Sequence, residues 1–258
     1  TLPDSLCWLL NIRGNDVSKT PLVHGFAVLH ADARVDLFIA SSKVENLTLD
    51  PTLSIAAPKE FTNTLAKLTG KVRCDKTSVP VAVIDALSEG LAEITYGSEP
   101  CVLPKARKND VEIAGTRAAH ITDATAVCEL LCWLDQQPAG STTEIDVVTQ
   151  LEQKRRNTNA LQDISFDTIS GAGPNGAIMH YRVTHETART LQDGDLLVLD
   201  SGGQYLNGTT DITRTIAIGD VGSEESTAFT RVLQGMIAMS RMRWPKGLAG
   251  RDIEMAAR

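Results

Sequence analysis

Aromatic side chains are scarce in this chain, at 4% of its residues, so its core must be built mainly from aliphatic side chains. No apolar run approaches the roughly 20 residues needed to span a bilayer, and no signal-peptide pattern opens the chain. A CxxC pair is absent. The five cysteines are odd in number, and two thiols on one face cannot close a zinc site. Cys128 and Cys132 share a helix face and read as buried thiols, with the cytoplasm the default compartment. Excess basic charge is missing too. The net charge of −7 argues against nucleic acid as a partner. The densest basic cluster, Lys154-Arg-Arg156, reads as a solvated helix end, where cations suit the dipole. There is no internal repeat and no low-complexity segment.

With 258 residues, 42% of them apolar and 22% charged, the chain has room for one large domain or two ordinary ones. The first hundred residues alternate strand-like and helical patterns, an α/β arrangement. Residues 5–10 read as a strand, and His24 to His30 and Val35 to Ala40 as a hairpin. Glu60 to Leu68 suits a helix, Lys71 to Cys74 a strand, Val81 to Leu87 a helix and Ala92 to Thr95 a strand. Pro100 and Pro104 mark a boundary, giving domains 1–104 and 105–258. A long helix then starts at an Asn109/Glu112 capping box and runs to about Leu134. Ser141 with Glu144 repeats the signal for a second helix to about Arg156. Ser165 to Ile169 and Ala177 to Tyr181 read as strands, and Ser223 caps another long helix. The chain opens on Thr1 and stops at Arg258 inside a helical pattern, which reads as a piece of a longer polypeptide.

Residues 196–216 concentrate the chemistry. An apolar run, Leu196 to Leu199, ends in Asp200; Gly202 and Gly203 follow; Asn207-Gly208 supplies a turn signal; a second strand alternates through Thr209, Asp211, Thr213 and Thr215. A carboxylate at the end of a buried strand is costly unless paired, hydrogen-bonded or bound to a cation. Two aimed at one place repel, so a metal is the simplest partner. A strict two-residue hairpin at Asn207-Gly208 pairs Gln204 with Asp211 and leaves Asp200 roughly 13 Å away along the strand. A bulge at Gly202-Gly203, or a wider loop centred near Tyr205 and Leu206, would close that gap. The loop Gly171 to Gly176 matches G-x-G-x-x-G literally. Pro174 interrupts it and no helix follows, which excludes a dinucleotide fingerprint. His180 follows that loop; standing alone, a His beside Tyr181 reads as a structural residue. His24, His30, His120 and His185 carry no motif.

Taken together, Asp200-Ser-Gly-Gly-Gln-Tyr205 and Gly208-Thr-Thr-Asp-Ile-Thr-Arg-Thr215 closely resemble the metal-binding hairpin of the Xaa-Pro aminopeptidases, members of the "pita-bread" metallopeptidase superfamily. Gly173-Pro-Asn-Gly-Ala-Ile-Met-His-Tyr181 resembles the family segment carrying the first active-site histidine. Asp4 to Gly14, Leu103 to Glu112 and Pro245-Lys-Gly247 resemble further segments of the three-domain members. The resemblance implies a small creatinase-N-terminal-like α/β domain followed by the first half of a pita-bread catalytic domain. It implies that Asp200 binds one metal of a dinuclear pair, that Asp211 bridges both, and that His180 hydrogen-bonds the substrate or its tetrahedral intermediate. The implied metals are two divalent ions, usually Mn²⁺, with Zn²⁺ or Co²⁺ as alternatives. The implied substrates are peptides with proline second, and the implied assembly is a homodimer when intact. A prolidase acting on Xaa-Pro dipeptides is the nearest rival, a catalytically dead peptide- or protein-binding relative the next, and a metal-free creatinase-like hydrolase the last. The remaining family ligands, one His and two Glu, have no counterpart in these residues. The chain as given is therefore expected to bind metal weakly and to lack activity.

Overall fold

The computed structural model describes residues 2–258. They fall into two compact units, Thr1–Ala114 and Gly115–Arg258, and the division lies inside one long helix.

In the first unit, helix α1 (Pro3–Leu10) is followed by strands β1 (Phe26–Leu29), β2 (Val35–Phe38) and β3 (Leu53–Ala56). Then come helix α2 (Phe61–Leu65), strand β4 (Thr69–Cys74), helix α3 (Val81–Ser88), strand β5 (Leu91–Tyr96) and helix α4 (Val102–Ala106). The expected hairpin is present, with β1 antiparallel to β2 from Phe26↔Phe38 to Leu29↔Val35. β3 joins β2 in parallel, and α3 crosses over between the parallel pair β4 and β5. Residues 5–10 are helical, not extended. Pro3 occupies the first turn, where its missing N–H costs nothing, and Asn11 ends the helix in the left-handed conformation at φ 51°. Leu6, Cys7 and Leu10 then share one face against Val23, Leu37 and Ile39. A six-residue apolar run is too short for periodicity to separate the two structures.

The linking helix α5 (Asp110–Leu134) begins at the expected capping box. The Asn109 N–H donates to Glu112 Oε2 at 2.8 Å, and the Glu112 N–H donates to Asn109 Oδ1 at 2.9 Å. On α5, Cys128 and Cys132 are exposed, against the expectation of buried thiols. The apolar stripe instead turns Val127, Leu130 and Leu134 inward.

The second unit continues with helix α6 (Glu144–Asn157) and strands β6 (Asp163–Ile164), β7 (Ile169–Ala172), β8 (Leu196–Ser201), β9 (Gly203–Tyr205), β10 (Gly208–Thr209) and β11 (Ile212–Ala217). Helices α7 (Ser223–Arg241) and α8 (Gly250–Ile253) follow. Two antiparallel three-stranded sheets form, ordered β7-β8-β11 and β6-β9-β10. Leu197 and Leu199 of β8 pack into a core with Leu130, Val147 and Leu151.

Four expectations fail in this unit. Residues 165–168 connect β6 to β7 and are not a strand. Residues 173–177 form a 3₁₀ turn, and His180 stands after it with φ 56°, so no strand spans 177–181. The cap of α6 is Thr143, whose hydroxyl accepts from the Asp146 N–H while the Asp146 carboxylate accepts from the Thr143 N–H. Glu144, cast as the capping partner of Ser141, is fully buried. The residue before α7 is Gly222, and no side chain caps that helix.

Candidate metal centre

The carboxylate hairpin turns at Leu206 and Asn207, one residue earlier than the Asn-Gly signal suggested, so Gln204 pairs with Thr209 and Tyr205 with Gly208. Gln204 therefore does not face Asp211. One residue at the turn moves the register by two. Asp200 pairs with Thr213 and Ser201 with Ile212. Continuing that register places Asp211 opposite Gly202, one diagonal step from Asp200. Diagonal neighbours in an antiparallel pair are roughly 7–8 Å apart at the backbone, within reach of two carboxylates. Gly202 is required at the join between the sheets. A Cβ there would lie 2.0 Å from the Thr210 carbonyl oxygen and 2.2 Å from Ser165 Oγ.

Strand alternation sorts the hairpin into two faces. Leu197, Leu199 and Ser201 are buried, while Leu196, Val198 and Asp200 stand half-buried on the other side. Asp200 Oδ1 accepts from the Thr213 hydroxyl at 2.8 Å. Asp211, in the break between β10 and β11, stands on the same face. Partial burial first, and the Asp200 carboxylate second, push the Asp211 carboxyl above the usual carboxylate range, while His120 opposes them. His120 holds the Thr116 carbonyl at 2.8 Å through Nδ1. Asp211 therefore prefers a proton or a cation as neighbour, which is what two carboxylates facing one another require.

His180 and Asp200 line one cleft of about 340 Å³, together with Ile169, Asn175, Val198 and Thr213. His180 is exposed at its rim and held by what surrounds it. The Glu144 carboxylate accepts from the Ala172 N–H at 2.7 Å, the Asn175 amide at 3.0 Å, the Tyr181 hydroxyl at 3.1 Å and the Arg189 N–H at 2.9 Å. The loop before His180 and the residue after it thus hang from one buried acid.

A second buried acid organises the back of the hairpin. Asp123 and Arg155 are both fully buried and pair at 2.6 Å (Nε to Oδ1) and 3.0 Å (Nη2 to Oδ2). Arg155 is therefore no part of a solvated helix end. The hydroxyls of Tyr205 and Thr210 donate to Asp123 at 2.9 and 2.7 Å, and Arg155 Nη2 donates to Ser201 Oγ at 3.1 Å. Burial, the largest single influence, works against the Asp123 charge. Arg155 and the Thr210 hydroxyl overcome it and hold the carboxyl below its ordinary range.

Asp200 and Asp211 thus share one face of the hairpin and His180 lines the cleft that Asp200 borders, while the burial of Glu144, Asp123 and Arg155 escaped sequence reasoning. Nothing in a charged residue's identity separates a solvated helix position from a buried one. The available signal was the helical phase that aligns Asp123 with the inward Ala119, Ala126 and Leu130.

Residues 114–258 match the model of metallopeptidase family M24, and residues 1–112 match the creatinase/prolidase N-terminal domain. The chain belongs to metallopeptidase family M24. Xaa-Pro aminopeptidase 1 of Dictyostelium discoideum is 36% identical over 266 residues, covering 99% of this chain and 42% of that protein. Among solved structures, the X-prolyl aminopeptidase of Caenorhabditis elegans, described as a cytosolic enzyme with a di-nuclear active site, superimposes with a TM-score of 0.81 at 28% identity, over 100% of this chain and 44% of that one. The Xaa-Pro dipeptidase of Bacillus anthracis gives 0.74 at 21% identity, over 100% of this chain and 70% of that one, and shows the fold alone. The chain spans about two fifths of the length of the curated relatives it matches. Its architecture is that of a creatinase N-terminal domain followed by the start of an M24 domain.

M24 membership implies a metal centre, and the donor chemistry here fits part of one. Two carboxylates share a face, and hard oxygen donors suit hard divalent ions. Among the described residues, no group of three or more His, Cys, Asp or Glu side chains is placed to hold an ion. No helix among them is long and apolar enough to cross a membrane.

Proposed function

We propose that the protein carrying this chain is an Xaa-Pro aminopeptidase that removes the N-terminal residue from peptides with proline second. One observation carries the reading: Asp200 and Asp211 share a face of the hairpin, and the cleft beside it is lined by Asp200 and His180. Asp200 and Asp211 supply carboxylates to a pair of divalent ions, with manganese favoured by the all-oxygen donors of this segment. Such ions supply Lewis acidity toward a carbonyl and lower the pKa of water. The chain's own residues supply placement. Thr213 fixes the Asp200 carboxylate, Gly202 lets the two sheets join without a clash, and His180 presents a donor to the peptide at the rim of the cleft. The similarity of the full chain to enzymes named as aminopeptidases supports this reading over a dipeptidase, whose solved structures share only the fold. Retention of both Asp residues and His180 argues against a catalytically dead relative. The C. elegans structure's description as cytosolic supports a cytoplasmic location, and a homodimer is the proposed assembly of the intact protein.

The test is a pair of variants in the full-length protein. Asp211→Asn should lose both bound metal and release of the residue before proline. His180→Ala should lower turnover with metal content unchanged. Unchanged metal stoichiometry in Asp211→Asn would refute its role in holding the metal, and metal loss in His180→Ala would make that histidine a ligand. The 258-residue chain alone should release no N-terminal residue from an Xaa-Pro peptide, because among the described residues no third His, Cys, Asp or Glu joins the two carboxylates.

A further inference from the structure

Taking Asp200 and Asp211 as metal carboxylates, as above, we propose that the buried Asp123–Arg155 pair is a positioning clamp. It sets the spacing of the two carboxylates by gripping the back of their hairpin.

The hairpin faces are the first ground. Ser201, Gly203 and Tyr205 alternate onto the back, and Thr210 stands opposite Gly203, whose carbonyl accepts its N–H at 2.9 Å. Asp200 precedes Ser201 and Asp211 follows Thr210, both on the front. The clamp therefore touches the chain one residue from each carboxylate. Asp123 comes from α5 and Arg155 from α6, so two helices set the geometry of one hairpin. The Thr210 hydroxyl also accepts from the Gly203 N–H at 2.8 Å, which fastens the two strands beside the Gly202 join. Moving either partner by an ångström would shift Ser201 and Thr210 apart and change the separation of the carboxylates with them.

The second ground is that stability alone does not account for the pair. Replacing a buried ion pair by apolar side chains of similar volume is often neutral or stabilising. A pair that stability need not retain is better explained by the geometry it imposes on Ser201 and Thr210, which it contacts directly.

The experiment uses the chelator-treated full-length protein, titrated with Mn²⁺ in a calorimeter, with thermal unfolding of the metal-free protein recorded alongside. In the double variant Asp123→Leu with Arg155→Met, the metal-free thermal midpoint should hold while Mn²⁺ affinity falls by about 10- to 100-fold, the range for partners that orient metal ligands. Affinity within threefold of the parent would overturn the clamp. Should the double variant not fold, Thr210→Val and Thr210→Ser decide. Valine should weaken Mn²⁺ binding by a similar factor and serine, which keeps the hydroxyl, should restore it. Equal affinity in the two would overturn the proposal. Asp211→Asn in the same titration separates the two levels. Unchanged binding there defeats the metal assignment itself. Lost binding there, with clamp variants like the parent, defeats the clamp alone.

Discussion

Replacing Glu144 by glutamine tests how the His180 segment is held. Four donor groups converge on this buried carboxylate: the Ala172 and Arg189 backbone N–H groups, the Asn175 amide and the Tyr181 hydroxyl. Asn175 and Tyr181 have another acceptor in the Thr187 carbonyl, at 3.5 and 3.0 Å. Among the described residues the two backbone N–H groups have no second acceptor. Ala172 lies on β7, the edge strand of its sheet, and its N–H is turned outward to the acid. Glutamine keeps one acceptor oxygen and puts a donor in place of the other. If the oxygen stays on Ala172, the new amide faces the Arg189 N–H, donor against donor. One unsatisfied buried N–H costs about 1–3 kcal/mol, which corresponds to local opening favoured by roughly 5- to 150-fold. Residue-resolved amide hydrogen exchange is the assay, because it reads these N–H groups individually and does not require the two units to unfold together. Exchange at Arg189 should accelerate by that factor in Glu144→Gln, and at both Arg189 and Ala172 in Glu144→Ala. Protection unchanged at both amides in the alanine variant would refute the anchoring role of this carboxylate. On the function proposed above, the alanine variant of the full-length protein should lower kcat and leave metal content intact, because none of the four groups that donate to Glu144 belongs to residues 196–217.

Acid should weaken the second unit through Asp123. Its folded-state pKa is depressed from an ordinary value near 3.9, so its stabilisation is complete above that value and is lost as pH falls through the lower folded one. Asp211 runs the other way: its raised pKa makes the metal-free hairpin less favourable once pH rises above the carboxylate range. Thermal midpoints with chelator present, compared between the parent and Asp211→Asn across pH 3 to 7, should converge at the acid end and separate toward neutrality. A constant difference would contradict the repulsion. Of the five thiols, Cys128 and Cys132 should react rapidly with a maleimide in the folded chain. Cys7, Cys74 and Cys101 should wait for unfolding, since all three are buried and burial leads the rise of the Cys101 thiol to about 11. Fast labelling of Cys101 would contradict its burial.

Motifs that carry their own local physics were legible from the residues. The Asn109/Glu112 box fixed the start of α5, and the short polar connection Ala31 to Arg34 made a hairpin. The apolar run into Asp200 announced a strand that ends in charge. Register was not legible, because Asn207-Gly208 favours one turn locally while α5 packs on the hairpin from outside it. A Cβ at Gly115 would sit 2.5 Å from the Asn207 carbonyl, and one at Gly208 would sit 3.1 Å from the Thr116 Cα. That contact, between residues more than ninety positions apart, accompanies a turn at Leu206-Asn207 and a shift of two in register. Sequence spacing near the turn holds no trace of it. The His180 segment was misread for a related reason. Its apolar residues suggest a strand, but Ile178 and Met179 are exposed, and the turn is set by hydrogen bonds from Asn175 and Tyr181 to an acid 31 and 37 positions away.

The three buried charges that were missed, Glu144, Asp123 and Arg155, divide the site between them. Glu144 holds the segment that carries His180, and the Asp123–Arg155 pair holds the hairpin that carries Asp200 and Asp211. None of the three lines the cleft. From sequence Glu144 read as a capping partner of Ser141 and Arg155 as part of a solvated helix end, and Asp123 drew no reading; each is buried where several donors or acceptors meet it. The general rule that charged residues are exposed explains why Asp200 and Asp211 stood out. Asp200 closes an apolar strand, where its charge conflicts visibly with its position, and Asp211 follows on the returning strand after a Gly-rich turn. A charge on a long helix raises no such conflict until a second element is known to cover it. In a fold of this kind, carboxylates that would carry chemistry can be read from strand ends, while those that position them must be read from helix phase against a partner. Asp123 falls in line with Ala119, Ala126 and Leu130, all buried on α5. That alignment made burial, and hence a paired cation, the physically required reading of this one acid.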